Sequence, residues 1–534
     1  MLVLLPAAER SLAQTAGAAA AGRSSGSLPS LGDSSDLSVA AERRIGDRIA
    51  ASIYRDPDYI DDPVLVDYVQ GIWLPLKAAA RARGELPAEL DERFAWELFL
   101  IRDRSINAFA LPGGYFGVHL GLIGAVSSAD EMAAVLAHEM SHVTQRHISR
   151  LMTQQSRQAP WMIAAMVLGA LAASKHPDAG SAAIVGGQAL AAQGQLNFSR
   201  DMEREADRVG FGVMSDAGFE SRGVTTMFER LQQANRLNDN GSFPYLRSHP
   251  LTTERIAEAQ ARVQLASAAA AKPSVQKLAA EGQAQLLHAM MAARARILAV
   301  PGVDALRAMV AEAQRRAAGV AALQTPASPA NIRDAGALYG GVLAAAQLRD
   351  FASARSLLER LRPLAAGLDH AHKAAGLLAM ELDLLEGHVT ASPASPGSPA
   401  SPVSAVMPVA SSSVSRAELL LQARALMAAK RAPEASQGLR VWVADHPKDA
   451  MAWQLLSLAW GQQNQGVQAI RAEAESRAAQ LDYAGALDRL KAAQTLMRSK
   501  PGSADYVEGS ILDTRTRQVE LLLKEQLLQD KVDR

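Results

Sequence analysis

Apolar positions along the chain follow mostly the spacing of helices that bury one face. Two short regions break that pattern. FAWELFLI (94–101) is rich in β-formers and predicts a strand, closed by a turn at DRS (103–105). INAFALPGGYFGVHLGLI (106–123) follows, and Pro112-Gly113-Gly114 can reverse the chain between two further short strands. Helix resumes near Leu37, spans about 130–151, covers 159–218 and 222–236, and restarts after a turn at His249-Pro250. Beyond about residue 270 the chain is almost wholly alanine- and leucine-rich helix. The pattern predicts a mainly α protein with a small β-sheet near its front.

The rear half carries a repeat. Leu419, Ala423, Ala435, Leu439 and Pro447 form one unit, and Trp453, Leu456, Trp460 and Ala469 form the next. Trp453 follows Leu419, and Ala469 follows Ala435, by the 34 residues of a tetratricopeptide repeat. RDFASARSLLERL (349–361) and LDYAGALDRLKAA (481–493) resemble second-helix starts out of that phase; generic helical hairpins remain the alternative. TASPASPGSPASPVSAVMPVASSS (390–413) is too dense in Pro and Ser to bury a core and reads as a solvated insert or linker.

The expected divisions are a signal remnant and polar segment over 1–36, a compact unit over 37–265, helical repeats over 266–389, the insert over 390–415, and further repeats over 416–534. MLVLLPAAERSLAQTAGAAAAG has a short apolar start and small residues, as the end of a secretory signal does, without a basic beginning; a disordered cytoplasmic tail is the other reading. No stretch reaches the roughly 18 apolar residues of a membrane span. The longest apolar runs, 161–174 and 182–192, read as buried or interfacial helices.

Lysine and arginine balance aspartate and glutamate at 55 each, which argues against a general nucleic-acid binder. Cysteine is absent, so disulfides are excluded and a metal site would draw on histidine and carboxylate.

Such a site is written at 134–147, AVLAHEMSHVTQRH. Residues four apart on a helix lie about 40° apart, so His138 and His142 point the same way and Glu139 stands beside them. This is HExxH, two zinc-binding imidazoles with a glutamate placed as general base. Ser128 followed by Glu131 predicts a capped start to that helix. His147, roughly 140° round from His142, is expected at the surface or behind the ligands. A third ligand is needed, and FSRDMEREADRVG (198–210) offers one. Glu203 would complete the set, with Asp207 one turn on accepting a hydrogen bond from a ligand histidine's outer nitrogen. An exposed acidic pair is the alternative reading of these two. Glu205, about 200° from Glu203, should face solvent. Two imidazoles and a carboxylate leave one zinc position open, and the ion acidifies water toward a pKa of about 7 for Glu139 to deprotonate. That chemistry hydrolyses peptide bonds. Asn107, Phe109 and Leu111, on a strand next to the turn, could pair with an extended substrate if that strand is an edge rather than core.

HEMSH and SRDMEREAD, preceded by INAFALPGG and followed by SHPLTTERI, together resemble the HtpX and CAAX-prenyl-endopeptidase superfamily of gluzincin metallopeptidases, and best its soluble periplasmic branch with a tetratricopeptide tail. The resemblance covers roughly 30–265 and, weakly, the helical tail. It implies one zinc per chain held by His138, His142 and Glu203, with Glu139 as base. It also singles out His249, which in this HPL context can fill the open position and hold such an enzyme latent; capping the turn before Pro250 is the plainer role. Arg255 would stabilise the oxyanion or simply make a local pair. The implied duty is quality control of outer-membrane β-barrel proteins in the periplasm, by degradation and also assembly, on unfolded or stalled substrates. The repeats would dock substrate or the barrel-assembly machinery, and the apolar helices after Pro160 would form a lid that can touch the membrane surface. The competing reading is a repeat-built chaperone or scaffold whose metal site is structural or silent.

Overall fold

The computed structural model describes residues 37–155, 199–237, 244–269, 275–319, 328–387, 414–499 and 506–532. The expected signal remnant, the apolar runs after Pro160 and the Ser/Pro insert lie outside them.

The fold is mainly α with one four-stranded sheet. In chain order the front comprises α1 (Val39–Ile53), β1 (Tyr59–Ile60), α2 (Pro63–Ala82), α3 (Ala88–Arg93), β2 (Glu97–Ile101), β3 (Ala108–Leu111), β4 (Tyr115–His119), α4 (Leu120–Ala125), α5 (Ala129–Thr144) and α6 (His147–Gln155). The sheet order is β1-β2-β4-β3, with β2 parallel to β4 and the two outer pairs antiparallel. The hairpin predicted at Pro112-Gly113-Gly114 is present. Gly113 and Gly114 take φ of 75° and 79°, and a Cβ on Gly114 would lie 2.8 Å from Phe94, so glycine is required there. The strand expected over 94–101 begins later, at Glu97, because Trp96 sits at φ 52° and buries its ring against Phe116. β3 is the last strand in the order, so among the described residues it is an edge.

Next come α7 (Arg200–Asp216), α8 (Arg222–Leu237), the short α9 (Pro244–Ser248) and α10 (Thr253–Ala269). The rear holds α11 (Val275–Leu298), α12 (Val303–Gly319), α13 (Pro329–Gln347), α14 (Phe351–Ala365), α15 (Asp369–Glu386), α16 (Arg416–Ala428), α17 (Ala432–Asp445), α18 (Ala450–Gln462), α19 (Gly466–Ala479), α20 (Tyr483–Ser499) and α21 (Tyr506–Val532). The repeat read from the sequence reappears in the helix starts. Arg416 to Ala450 and Ala432 to Gly466 are both 34 residues. Leu419, Ala423, Ala435, Leu439, Leu456 and Trp460 bury together in one core, the alanines allowing close helix approach. Tight turns before α14, α17, α19 and α20 share one device, a left-handed residue at Arg349, Lys430, Asn464 and Leu481. That shared turn is why 349–361 and 481–493 look alike in sequence.

One apolar core runs from Ile45 through the sheet and α5 to Leu382, Ala417 and Leu421. Two arginines reinforce the junction. Arg294 of α11 is buried and forks onto Asp62 at 2.7 and 2.8 Å and onto Glu381 of α15 at 2.5 and 2.7 Å. Asp62 also caps α2 through the Leu65 N–H. Arg416, first in α16, forks onto Asp61 at 2.6 and 2.7 Å and onto Asp449, the cap of α18. Adjacent aspartates thus tie the front of the molecule to two separate parts of the helical rear. Arg294→Met should cost about 1.5–3 kcal/mol, because it leaves the part-buried carboxylates of Asp62 and Glu381 without the buried guanidinium they share. Urea unfolding followed by helical circular dichroism checks this; a change within 1 kcal/mol would show the clamp to be energetically idle.

Candidate metal centre

α5 starts as its sequence predicts. Ser128 accepts the Glu131 N–H, and the Glu131 carboxylate returns to the Ser127 N–H and receives Arg230. α7 is capped likewise by Ser199. The two helices cross closely because Gly210 faces Ala137 and His138, where a Cβ would stand 3.1 Å from backbone atoms. This crossing brings Glu203 up to the histidines.

His138, His142, Glu203 and His249 converge, with one ligand atom from each within 4.8 Å of all the others. The Nε2 atoms of His138 and His142 are 3.0 Å apart. Glu203 places Oε2 3.4 Å from His138 Nε2 and Oε1 3.4 Å from His142 Nε2. His249 Nδ1 lies 3.3 Å from His138 Nε2 and 2.9 Å from Glu203 Oε1. Every one of these residues is buried. The edges of a tetrahedron with bonds of about 2.0–2.1 Å are about 3.3 Å long, so the four donors are spaced to hold one zinc-sized ion. Two imidazole nitrogens pointing at each other across 3.0 Å need a cation or a shared proton between them, which also fits a metal.

Glu139 stands at the rim. Both its carboxylate oxygens are buried without a full hydrogen bond among the described residues. The His249 ring lies beside it, with Nε2 3.4 Å from Oε1. Burial raises the Glu139 carboxyl above its ordinary value, opposed by His249 and His138. Burial, followed by the neighbouring His138, drives His142 well below the usual imidazole range. Burial would also raise Glu203, but His249 and His138 outweigh it and hold the carboxylate far below its usual range.

The outer nitrogens are engaged. His138 Nδ1 is 3.0 Å from Asp207 Oδ1, the pairing anticipated from the i, i+4 spacing of Glu203 and Asp207. Arg255 is buried and commits its guanidinium to both Asp207 oxygens at 2.6 and 2.8 Å, to Glu203 Oε2 at 2.7 Å and to the Pro250 carbonyl. Asn107 lies just ahead of β3, and its carbonyl accepts the His119 N–H. Phe109 and Leu111 lie on β3 itself, which packs on α5 with the Ala110 backbone toward Glu139.

One alternative falls away and one expectation is corrected. α5 stops at Thr144, and Arg146 at φ 57° turns the chain, so His147 begins a new helix and is fully buried; of its two expected places, the one behind the ligands is realised and the surface one is not. Its Nδ1 lies 2.9 Å from His142 Nδ1. Glu205 does not simply face solvent: its Oε2 receives His147 Nε2 at 3.0 Å and Arg150 at 2.8 Å. Tyr245 escaped the sequence reading altogether. Its ring packs 4.8 Å from His249 and 6.5 Å from His138, and its place four residues before His249 was the available signal.

The sequence profile described as Peptidase family M48 matches residues 76–263. That segment is a peptidase family M48 domain. The chain is 34% identical over 241 residues to the beta-barrel assembly-enhancing protease of Escherichia coli, covering 45% of this chain and 47% of that one. It is 32% identical over 237 residues to the protein of that name in Yersinia pestis, covering 44% and 47%. The mitochondrial metalloendopeptidase OMA1 of Arabidopsis thaliana is 28% identical over 196 residues, 36% of each chain. The match spans about half the length of the bacterial relatives. All the convergent groups of the M48 domain lie within its span: the HExxH helix, Glu203 and His249.

Proposed function

We propose that this chain is a zinc-dependent endopeptidase of the bacterial envelope that acts on unfolded or stalled proteins, outer-membrane β-barrels among them, and that it rests in a latent form. The observation that carries the reading is the meeting of His138, His142 and Glu203 from two helices with Glu139 alongside. His138, His142 and Glu203 would hold the ion. When bound, zinc polarises the scissile carbonyl and makes water acidic enough to attack near neutral pH. Glu139 accepts the proton of the attacking water and delivers it to the departing amine nitrogen. Its burial, which raises its proton affinity, suits both halves of that task. Asp207 and Arg255 orient the ligands, the first through His138 and the second through Glu203; with its donors so engaged, Arg255 serves there rather than at an oxyanion. β3, an edge among the described residues that runs past Glu139, would take the substrate as an added strand around Asn107, Phe109 and Leu111.

Support for a periplasmic setting comes from the bacterial relatives' name and from the signal-like first residues. Among the described residues no helix is long and apolar enough to cross a membrane. The helical array from α16 onward would dock substrate or the barrel-assembly machinery. Metal analysis of the purified chain should return about one zinc per chain. Cleavage of unfolded casein should stop with a chelator and return with added zinc. A metal-free protein, or cleavage indifferent to chelation, would defeat the proposal.

A further inference from the structure

We propose that His147 and Glu205 form a relay that fixes the tautomer of His142, and so set how tightly the centre holds its metal. The inference rests on the zinc reading above.

The two HExxH histidines are supported in different ways. His138 meets a carboxylate directly, its Nδ1 lying 3.0 Å from Asp207. His142 meets a second imidazole. Its Nδ1 lies 2.9 Å from His147 Nδ1, and His147 Nε2 lies 3.0 Å from Glu205 Oε2. Arg150 binds the same Glu205 oxygen at 2.8 Å and keeps that carboxylate an acceptor. His142 turns Nε2 toward His138 and Glu203, so a neutral His142 that ligates through Nε2 carries its proton on Nδ1. Only one arrangement of two neutral rings then satisfies the chain. His142 Nδ1–H donates to the His147 Nδ1 lone pair, and His147 Nε2–H donates to Glu205. Glu205 thereby fixes the inward lone pair of a ligand two hydrogen bonds away.

The backbone is shaped to allow this. A continuous helix would carry His147 roughly 140° away from His142. The left-handed Arg146 interrupts it, and the Arg146 guanidinium is anchored on buried Glu42 of α1 at 2.9 Å and on the Leu37 carbonyl just ahead of α1 at 2.6 Å. His147 is fully buried, so its imidazole has no solvent to bond instead.

Partners behind a ligand histidine typically govern metal affinity by 10–100-fold. Zinc affinity of the full chain, measured by competition with a chromophoric chelator, should fall about 10–100-fold in His147→Ala. His147→Gln, which can accept from His142 and donate to Glu205 at once, should recover most of that loss. Glu205→Gln, altering a partly exposed side chain that leaves the core intact, should weaken zinc in the same direction, and combining it with His147→Ala should add little further loss. Metal-free Glu205→Gln should unfold near the wild-type temperature, which separates a lost hydrogen bond from a disturbed fold. Wild-type affinity in both His147→Ala and Glu205→Gln would overturn the relay, as would strictly additive losses. If wild type binds no zinc, or His142→Ala does not weaken it, the ligand set itself fails and the relay with it.

Discussion

Glu139→Gln should lower peptide hydrolysis by about 10²–10⁴-fold, the usual worth of a positioned general base, with zinc still bound at one per chain. Glutamine matches the glutamate in shape and stays clear of the ligand set, because the convergent atoms belong to His138, His142, Glu203 and His249. What it removes is the ability to take a proton. The site holds no ready substitute. The carboxylates of Glu203 and Asp207 are committed to histidines and to Arg255, and both are held below their ordinary values by those partners despite burial. Hydrolysis by the purified variant, normalised to its zinc content, is the measurement. Unchanged turnover would remove Glu139 from the mechanism and, with it, the reason for reading HExxH as catalytic.

What the sequence reveals about this centre follows the range of the physics that builds it. HExxH is legible because two ligands one helical turn apart need only a local helix. Glu203 and Asp207 are legible for the same reason, each helix presenting one face. The pairing of those helices depends on Gly210 meeting Ala137 and His138, a contact no local pattern announces. The place of His147 was left open between surface and the space behind the ligands, because the helical periodicity runs on through Gln145 and Arg146, which include no glycine or proline. At the break Arg146 pairs with Glu42, more than a hundred residues earlier in the chain. Once α6 turns away, Glu205 acquires a partner that helix geometry alone would deny it. Asp61 and Asp62 tell the same story. In sequence they are two ordinary acids before a proline, and their partners Arg416 and Arg294 lie hundreds of residues on. The 34-residue period, by contrast, is written in neighbouring units and reappears in the helix starts.

His249→Ala should raise hydrolysis about 10–100-fold. His249 reaches the centre from the far side of a segment unrelated to α5 and α7. Its Nδ1 lies 2.9 Å from Glu203 and 3.3 Å from His138 Nε2, in the corner where water would need to sit, and its Nε2 stands 3.4 Å from the base. A side chain there excludes the nucleophile and crowds Glu139 at once. If the imidazole outcompetes water by about 1.4–2.8 kcal/mol, roughly 1–10% of molecules are open at any moment, and removing it frees the rest. Three donors remain after the substitution, so zinc should stay. Tyr245, whose ring packs 4.8 Å from that of His249, borders the vacated space. Casein hydrolysis and zinc content measured together separate the outcomes. Faster turnover with zinc retained supports a displaceable ligand. Loss of zinc would make His249 a permanent member of the site, and an unchanged rate with zinc in place would return it to the plainer task of shaping the turn before Pro250.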